Sequence, residues 1–270
     1  MELPDILIGV VLFVLGAAMG SFGCCQVWRL RMESMKGKKR SECMSCHRVL
    51  KWYELIPVVS WFAQKGKCRD CGEPIGWQEI LCELGMGLLF VMSYFIWPER
   101  MGVLDGESIW SYAAFGAFLA MLVGMMVCFV YDMRWLRLPM MPLTISLACA
   151  ILMVLLARVG GFLGDLNLWS FVWGLALLPG LYLLLYKASR EKWVGGGDWM
   201  LALVCAVALS DWVLCLLCLL VSNLFGCVLA MPLMMRQKEG RLRLALGPLL
   251  TIGFVVVFFW GDAIRALLGI

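Results

Sequence analysis

Two pairs of cysteines carry the most specific chemical signal in this 270-residue chain. Cys43 and Cys46 form one Cys-x-x-Cys pair, and Cys68 and Cys71 form a second after 21 intervening residues. Four thiolates at this spacing bind Zn²⁺ tetrahedrally and leave no ligand position open, so the pattern predicts a structural zinc site. Disulfides and free thiols are the alternatives, and a reducing cytosol argues against disulfides. The adjacent His47 is interpreted as a bystander rather than a spare ligand.

Two of the eight aspartates, Asp132 and Asp198, are candidates for acid–base hydrolysis. Two close carboxylates share one proton, so that the ionised group activates a water while the protonated group hydrogen-bonds the scissile carbonyl. Asp198 follows Gly195, Gly196 and Gly197, which would let an extended substrate segment approach the backbone closely. The alternative is that both aspartates are interfacial anchors or helix N-caps.

Two further features of the polar stretch and its border are open to more than one interpretation. Glu79 and Glu83 stand four residues apart at the start of an apolar segment, where acids suit the first helical turn. We interpret them as structural or substrate-contacting rather than catalytic. Residues 52–61 are aromatic and apolar in a basic setting, which is typical of packing at a membrane interface. Contact with a substrate helix is the alternative.

The elements that must position these residues are apolar helices in a membrane. The chain is 63% hydrophobic and 16% charged with a mean hydropathy of +0.88, whereas soluble domains are about 45–50% apolar. An all-α polytopic membrane protein with about eight transmembrane helices is therefore expected. The sixth segment is the shortest, and its boundary with the seventh rests on Ser210-Asp211. The apolar segments are 6–28, 79–97, 109–131, 138–157, 168–186, 198–210, 212–235 and 244–262.

The distribution of positive charge predicts the orientation of these helices. With the N-terminus outside, all but three of the 23 Lys and Arg residues fall in cytoplasmic segments. Asp132 and Asp198 then share the cytoplasmic face, Asp70 lies in the cysteine-bearing domain, and the other five aspartates are external. The acidic flank at Glu2 and Asp5 favours a retained first helix over a cleaved signal peptide. The predicted domains are a first transmembrane helix, a small cytoplasmic zinc-knuckle domain with the four cysteines and a seven-helix membrane domain, at 1–28, 29–78 and 79–270.

The ordered set of motifs resembles the prepilin leader peptidases of type IV pilus and type II secretion systems, which carry a Gly-x-Gly-Asp motif. The resemblance extends over nearly the whole chain. In chain order, beside the two cysteine pairs, the matching positions are Gly20-Ser21-Phe22, Arg29-Leu30, Trp52-Tyr53, Ile56-Pro57-Val58-Val59-Ser60-Trp61, Gly66-Lys67-Cys68-Arg69, Glu83, Asp132, Leu138-Pro139, Gly195-Gly196-Gly197-Asp198 and Gly247-Pro248.

The resemblance implies that Asp132 and Asp198 are the catalytic pair of an endopeptidase. It implies substrates that are prepilins or pseudopilins with a short basic leader and a hydrophobic N-terminal helix, cleaved at the cytoplasmic side of the bacterial inner membrane. It also implies N-methylation of the new N-terminus with S-adenosylmethionine. That second activity rests on the resemblance alone, because no Gly-rich nucleotide-binding fingerprint is present. The expected partners are these substrates and the bilayer, without nucleic acid.

Three departures from the family pattern stand near these motifs. Gly23-Cys24-Cys25 lies where the family has an asparagine, Met140 replaces a second aspartate, and Trp199-Met200-Leu201 replaces Phe/Tyr-Lys-Leu. The catalytic positions persist, so the peptidase interpretation stands. A presenilin-like intramembrane protease and a non-enzymatic scaffold with a zinc knuckle are the two rivals. The cysteine tetrad speaks against the presenilin-like protease.

Overall fold

The computed structural model describes residues 3–31, 40–101, 109–161, 167–190, 194–236 and 245–269. In these residues the secondary structure is helical apart from turns and two isolated β-bridges, which confirms the all-α prediction. Several charged residues lie outside the described residues, namely the basic residues near 36–39, 192 and 238–243, and also Asp105 and Asp165. A 3₁₀ turn spans Trp52–Leu55, and the α-helices are α1 (Leu3–Arg31), α2 (Val59–Ala63), α3 (Trp77–Met101), α4 (Ile109–Trp135), α5 (Met140–Val159), α6 (Leu168–Ser189), α7 (Asp198–Leu209), α8 (Trp212–Arg236) and α9 (Leu246–Leu268).

Seven of the described helices are long and apolar enough to cross a membrane, namely all except α2 and α7. They form because a chain in hydrocarbon must satisfy its backbone hydrogen bonds within each segment. Together with α7 they coincide with the eight apolar segments of the sequence, and the chain is a multi-pass membrane protein.

The chain divides into two compact units, Met1–Ile96 and Trp97–Ile270. The first contains α1, α2 and most of α3, and the second contains α4 to α9. The domain boundaries drawn from the sequence after residues 28 and 78 stay a prediction.

In the first unit, α1 and α3 pack through glycines at backbone distance. A Cβ at Gly16 would lie 2.5 Å from the carbonyl oxygen of Met86, and a Cβ at Gly20 would lie 2.6 Å from that of Cys82. Small residues at such crossings are typical of membrane helices, which gain close van der Waals contact rather than hydrophobic burial. The polar stretch that carries the cysteines connects these two helices.

In the second unit, α4 and α9 are the most buried of the long helices. Phe118 of α4 and Phe258 of α9 stack in the core with ring centroids 4.4 Å apart. Gly124 of α4 faces Ser146 of α5. These contacts join α4, α5 and α9 in one core.

The short helix α7 runs antiparallel along α6. Its N-terminal side lies beside Tyr186, because a Cβ at Gly196 would be 3.4 Å from that ring. At its other end, the hydroxyl of Ser170 donates to the carboxylate of Asp211 at 3.1 Å. The two contacts on α6 are 16 residues apart, about 24 Å along a helix. The segment around α7 therefore passes most of the depth of α6, although its 12 helical residues alone would not cross about 30 Å of hydrocarbon.

Candidate active site and candidate metal centre

Asp132 lies in the last turn of α4 and is buried, with 4% of its surface exposed. Its Oδ2 accepts a hydrogen bond from the backbone N–H of Gly247 at 2.9 Å. Gly247 is the second residue of α9, so its N–H has no acceptor within its own helix. A Cβ at Gly247 would lie 2.8 Å from that same Oδ2, so a side chain at this position would displace the carboxylate.

Asp198 is the first residue of α7, and its side chain turns back towards the preceding glycines. Its Oδ2 accepts the backbone N–H of Gly195 at 2.8 Å. Gly197 lies against Leu138, because a Cβ there would be 2.5 Å from the Cβ of Leu138. The glycine run thus fits the chain's own packing, and its predicted role in substrate approach stays a prediction.

Neither aspartate serves as a cap of its own helix. The side chain of Asp198 bonds to the glycine before α7 rather than to the first turn of that helix, and a carboxylate in the last turn of α4 is disfavoured by the helix dipole. Asp211 shows the contrast, because its Oδ1 accepts the N–H groups of Val213 and Leu214 at 2.8 and 3.1 Å at the start of α8. The N-cap alternative therefore fits Asp211 and not the candidate pair.

The two candidate aspartates come together around Leu138. This side chain contacts the position of Gly247, next to Asp132, and also Gly197, next to Asp198. The two carboxylates are near enough to interact electrostatically. Within the described part of the chain, no Lys, Arg or His forms an ion pair with either of them. Two buried carboxylates without a cation favour a shared proton.

Sequence reasoning missed the contributions of Gly247 and Leu138 to the geometry of this site. In the sequence, both stand out only as parts of the family motifs Gly-Pro and Leu-Pro. Their signal was the placement of each motif at a helix start, since Leu138-Pro139 precedes α5 and Gly247 lies in the first turn of α9. An unpaired first-turn N–H is a ready donor for a carboxylate.

Glu83, the other candidate acid, belongs to the first unit. It is buried in α3, and its Oε2 accepts the backbone N–H of Val58 at 2.7 Å. The hydroxyl of Ser21 in α1 is a second hydrogen-bond partner. Val58 has φ 63° and ψ −56°, and the N–H of Val59 donates to the carbonyl of Pro57. These features define a γ-turn with a β-branched centre, which is rare and strained.

The four cysteines predicted to bind metal lie on two matching turns. In the first, the N–H of Cys43 donates to Arg48 O and the N–H of His47 donates to Cys43 O, at 2.9 and 3.0 Å. In the second, the N–H of Cys68 donates to Glu73 O and the N–H of Gly72 donates to Cys68 O, at 2.8 and 3.0 Å. The positive-φ positions His47 (57°) and Gly72 (71°) correspond as well.

The sulfur atoms of this cluster have the spacing of a metal site. The ligand atoms of Cys43, Cys46, Cys68 and Cys71 all lie within 4.8 Å of one another. The Sγ atoms of Cys43 and Cys71 are 3.7 Å apart, close to the edge of about 3.8 Å that Zn–S bonds of about 2.3 Å give a tetrahedron. The four cysteines could therefore hold a metal ion. His47 supplies none of these four ligand atoms, and its Nδ1 lies 3.6 Å from a carboxylate oxygen of Glu42.

The protonation of the cluster favours cation binding. Backbone N–H groups of Cys71 and Asp70 donate to the Cys68 sulfur and lower the pKa of that thiol to about 6. For Cys71, an N–H from Glu73 stabilises the thiolate, but desolvation and the neighbouring thiols outweigh it and raise the pKa to about 12. The Cys68 thiolate forms readily, and the Cys71 thiolate needs a positive charge at the centre of the cluster.

A buried ion pair supports the two cysteine turns. Arg48, just after the first turn, donates to both carboxylate oxygens of Glu54 at 2.9 and 3.2 Å. The same guanidinium lies 2.8 Å from Asp70 in the second turn. Arg48 and then the N–H of Lys51 lower the pKa of Glu54, whose side chain is fully buried. The pair therefore connects both cysteine turns to the 3₁₀ turn at Trp52–Leu55.

Comparisons with known proteins bear on both regions. Residues 14–97 match the family model of the bacterial peptidase A24 N-terminal domain. The prepilin leader peptidase/N-methyltransferase of Stutzerimonas stutzeri is 31% identical over 230 residues, covering 84% of this chain and 73% of that protein. The Bacillus subtilis protein of the same name is 26% identical over 261 residues, covering 94% and 95%. That of Myxococcus xanthus is 45% identical over 84 residues, which cover 31% of this chain and 25% of that protein. No solved structure matches.

Proposed function

Because this chain belongs to the prepilin leader peptidase/N-methyltransferase family, we propose that it is a membrane aspartyl endopeptidase that removes the leader of type IV prepilins or pseudopilins. The observation that carries the proposal is the pair of buried aspartates in the second unit. Each is anchored by one glycine N–H, and among the described residues neither has a cation partner. A pair of this kind is suited to hold one proton between its two carboxylates.

The reaction follows from that arrangement. Asp132 and Asp198 each use Oδ2 to accept a glycine N–H, which leaves Oδ1 of each for water and substrate. The ionised carboxylate takes a proton from water as the water oxygen bonds to the scissile carbonyl carbon. The protonated carboxylate hydrogen-bonds the carbonyl oxygen. Collapse of the tetrahedral intermediate breaks the C–N bond, and the leaving amine takes a proton from the pair.

Asparagine variants test the catalytic assignment. Asp132→Asn and Asp198→Asn keep the shape but cannot take up a proton, so cleavage of a co-expressed prepilin should fall by about 10²–10⁴-fold. The matched control is Asp211→Asn, because Asp211 also begins a helix and asparagine can still cap it. The control should insert and cleave normally. Normal processing by either dyad variant would refute the assignment and favour the scaffold alternative.

We propose that the four cysteines bind a structural Zn²⁺. The donor set is all sulfur, its spacing suits a tetrahedron, and four protein ligands leave no open position. Protein purified anaerobically should contain about one zinc per chain. Cys43→Ser with Cys46→Ser should lose it. Metal-free wild-type protein with two disulfides in mass spectrometry would contradict the proposal.

N-methylation of the new N-terminus, with S-adenosylmethionine as methyl donor, is the second activity that we propose from family membership. Among the described residues no strand–glycine loop–helix unit occurs, so no residues are assigned to this cosubstrate and no step is derived through it. Incubation of the protein with a prepilin and S-adenosylmethionine, with mass readout, separates the two activities. A cleaved product without the added methyl group would remove this part of the proposal alone.

The orientation is also a proposal. The concentration of Lys and Arg in alternate connecting segments supports an N-terminus outside the bacterial inner membrane and a cytoplasmic stretch at 29–78. Both aspartates then lie at the cytoplasmic face. Reporter fusions after residues 29–78 and after α6 should report the cytoplasm. A reporter signal from the external side at either position would contradict the orientation.

A further inference from the structure

The cysteine-bearing stretch carries large apolar side chains that point into solvent. Trp52, Val59, Phe62 and Trp77 are exposed over 77%, 61%, 63% and 70% of their surfaces. A polar domain of this size gains nothing from four such side chains in water, since burial of each of them would be favourable. Clusters of exposed apolar residues mark contact with a partner or a membrane. We call these four residues the apolar surface.

The apolar surface continues the exposed face of a membrane-spanning helix. Trp77 is the first residue of α3, and the exposed Leu81 follows one turn later on the same face. The ring of Trp77 lies 4.8 Å from that of Trp61, which in turn lies 5.4 Å from Phe62 in α2. Since the exposed face of a spanning helix borders lipid, the adjoining aromatic cluster reaches the same border.

A hydrogen bond to α3 sets the depth of α2. The N–H of Val58, the residue before α2, donates to Glu83, which lies six residues after Trp77. Six residues correspond to about 9 Å along a helix axis. Val58 is therefore level with the first turns of α3, and Val59 follows at that level. Amphipathic elements at an interface lie about 5–10 Å into the boundary between headgroups and acyl chains.

The charges beside the apolar surface suit anionic lipid. Lys51, Lys65 and Lys67 are exposed, whereas the acidic Glu54 and Asp70 are paired with Arg48. The exposed Glu73, in the second cysteine turn, is the acid that offsets the positive charge of these lysines. Lysines near a bilayer surface are attracted by anionic headgroups.

We propose that the apolar surface inserts into the headgroup–acyl boundary of the leaflet at which α3 begins, with anionic lipid as its partner. The cysteine-bearing domain is then a membrane-seated element. Its position relative to the bilayer is determined by Val58 and Glu83. The proposal rests on membrane embedding and not on the proposed peptidase activity.

Lipid photolabelling of the full-length protein tests this insertion. The protein is placed in nanodiscs that contain phosphatidylglycerol and a phospholipid with a diazirine near the headgroup, and labelled peptides are mapped by mass spectrometry. We expect label within 52–62 at a level similar to that at the start of α3. Replacing phosphatidylglycerol by phosphatidylcholine should reduce the label in 52–62 several-fold. Label confined to the long helices would overturn the proposal.

A matched pair of variants sharpens the result. Val59→Ser with Phe62→Ser should reduce labelling of 52–62 several-fold, whereas Met44→Ser with Val49→Ser alters exposed apolar residues elsewhere in the domain and should leave it unchanged. Retained metal in both variants shows that the domain still folds. If either variant loses its metal, the photolabelling pattern of the wild-type protein alone decides the outcome. Displacement of the lipid label by a prepilin that crosslinks to 52–62 would overturn the proposal in favour of substrate docking.

Discussion

Buried carboxylates occur in both units, and their surroundings differ. In the first unit, Glu54 is fully buried but has a bidentate Arg48 and the N–H of Lys51. In the second, Asp132 and Asp198 have one glycine N–H each and, among the described residues, no cation. A carboxylate whose charge is compensated does not exchange protons, because its lowered pKa keeps it ionised. Two uncompensated carboxylates keep an exchangeable proton, which is what acid–base chemistry requires.

The two units also differ in what stabilises them. The second unit buries apolar helices around the aspartates, whereas the cysteine turns consist of short hydrogen-bonded loops with little apolar core. The cysteine-bearing part of the first unit therefore depends on a few strong polar contacts, and the second unit on many weak apolar ones.

Metal removal should affect the first unit alone. Cys68→Ser, or wild-type protein with a strong chelator, removes a contribution on the order of 10 kcal/mol. Limited proteolysis should then cut within 40–76, while the helical circular dichroism of the spanning helices is preserved. Cys227→Ser, an exposed cysteine in α8, is the control and should behave as wild type. Equal protease resistance with and without metal would show that the cysteine-bearing stretch does not depend on metal for its stability.

Loss of the arginine partner should convert Glu54 from an inert to a destabilising group. Arg48→Met leaves a buried carboxylate without its cation, which costs about 3–5 kcal/mol. Metal release and proteolysis within 40–76 should become correspondingly faster. Arg69→Met is the control, since Arg69 is half-exposed and 3.8 Å from Glu54, and should cost below about 1 kcal/mol. Adding Glu54→Gln to Arg48→Met should recover part of the loss; no recovery would show that Arg48 acts otherwise.

A methyl group at position 247 should disturb the aspartate pair without unfolding the helices. Gly247→Ala places Cβ against Asp132 Oδ2, and a displacement of about 1 Å at a reacting group costs about 10²-fold in rate. The rate of prepilin cleavage should therefore fall, with normal insertion. Gly116→Ala in α4 is the control, because nothing lies within 4 Å of its Cβ position. Full activity in Gly247→Ala would mean that the Asp132–Gly247 contact does not position the pair.

Relief of the strained turn should have the smallest effect. Val58→Gly removes strain of about 1–3 kcal/mol and adds unfolded-state entropy worth up to about 1 kcal/mol. A net stabilisation of about 1 kcal/mol is expected, visible as slower thermal loss of metal. Val49→Gly, at a residue with ordinary φ, should instead destabilise the domain. If both variants destabilise, the turn at Val58 carries no strain.

The helices and the cysteine cluster were predictable because both depend on local pattern. An apolar run must satisfy its backbone internally, so its length alone predicts a helix. Two Cys-x-x-Cys pairs predict convergence of four sulfurs for a similar reason, since each pair forms its own turn. The predicted segment 198–210 and α7 (Asp198–Leu209) begin at the same residue and end within one residue of each other, because glycine precedes the helix and Ser210 adopts φ 55° after it.

The contacts that define the aspartate site were beyond local pattern. Asp132 and Gly247 are 115 residues apart, and their hydrogen bond depends on how α4 and α9 cross. The γ-turn at Val58 was equally hidden, because valine disfavours positive φ and only the carboxylate of Glu83, 25 residues later, explains its N–H direction. Such positions follow from tertiary packing that overrides residue preference.

The correspondence of the two cysteine turns has a consequence for how the domain forms during synthesis. Hydrogen bonds within each turn join residues at most five positions apart, so each turn can close in well under a microsecond. The first turn leaves the ribosome about two and a half seconds before the second at about 10 residues per second. We expect the early turn to capture a cation through two sulfurs and the later turn to complete its coordination. Metal supply, rather than chain diffusion, would then set the pace of this folding step.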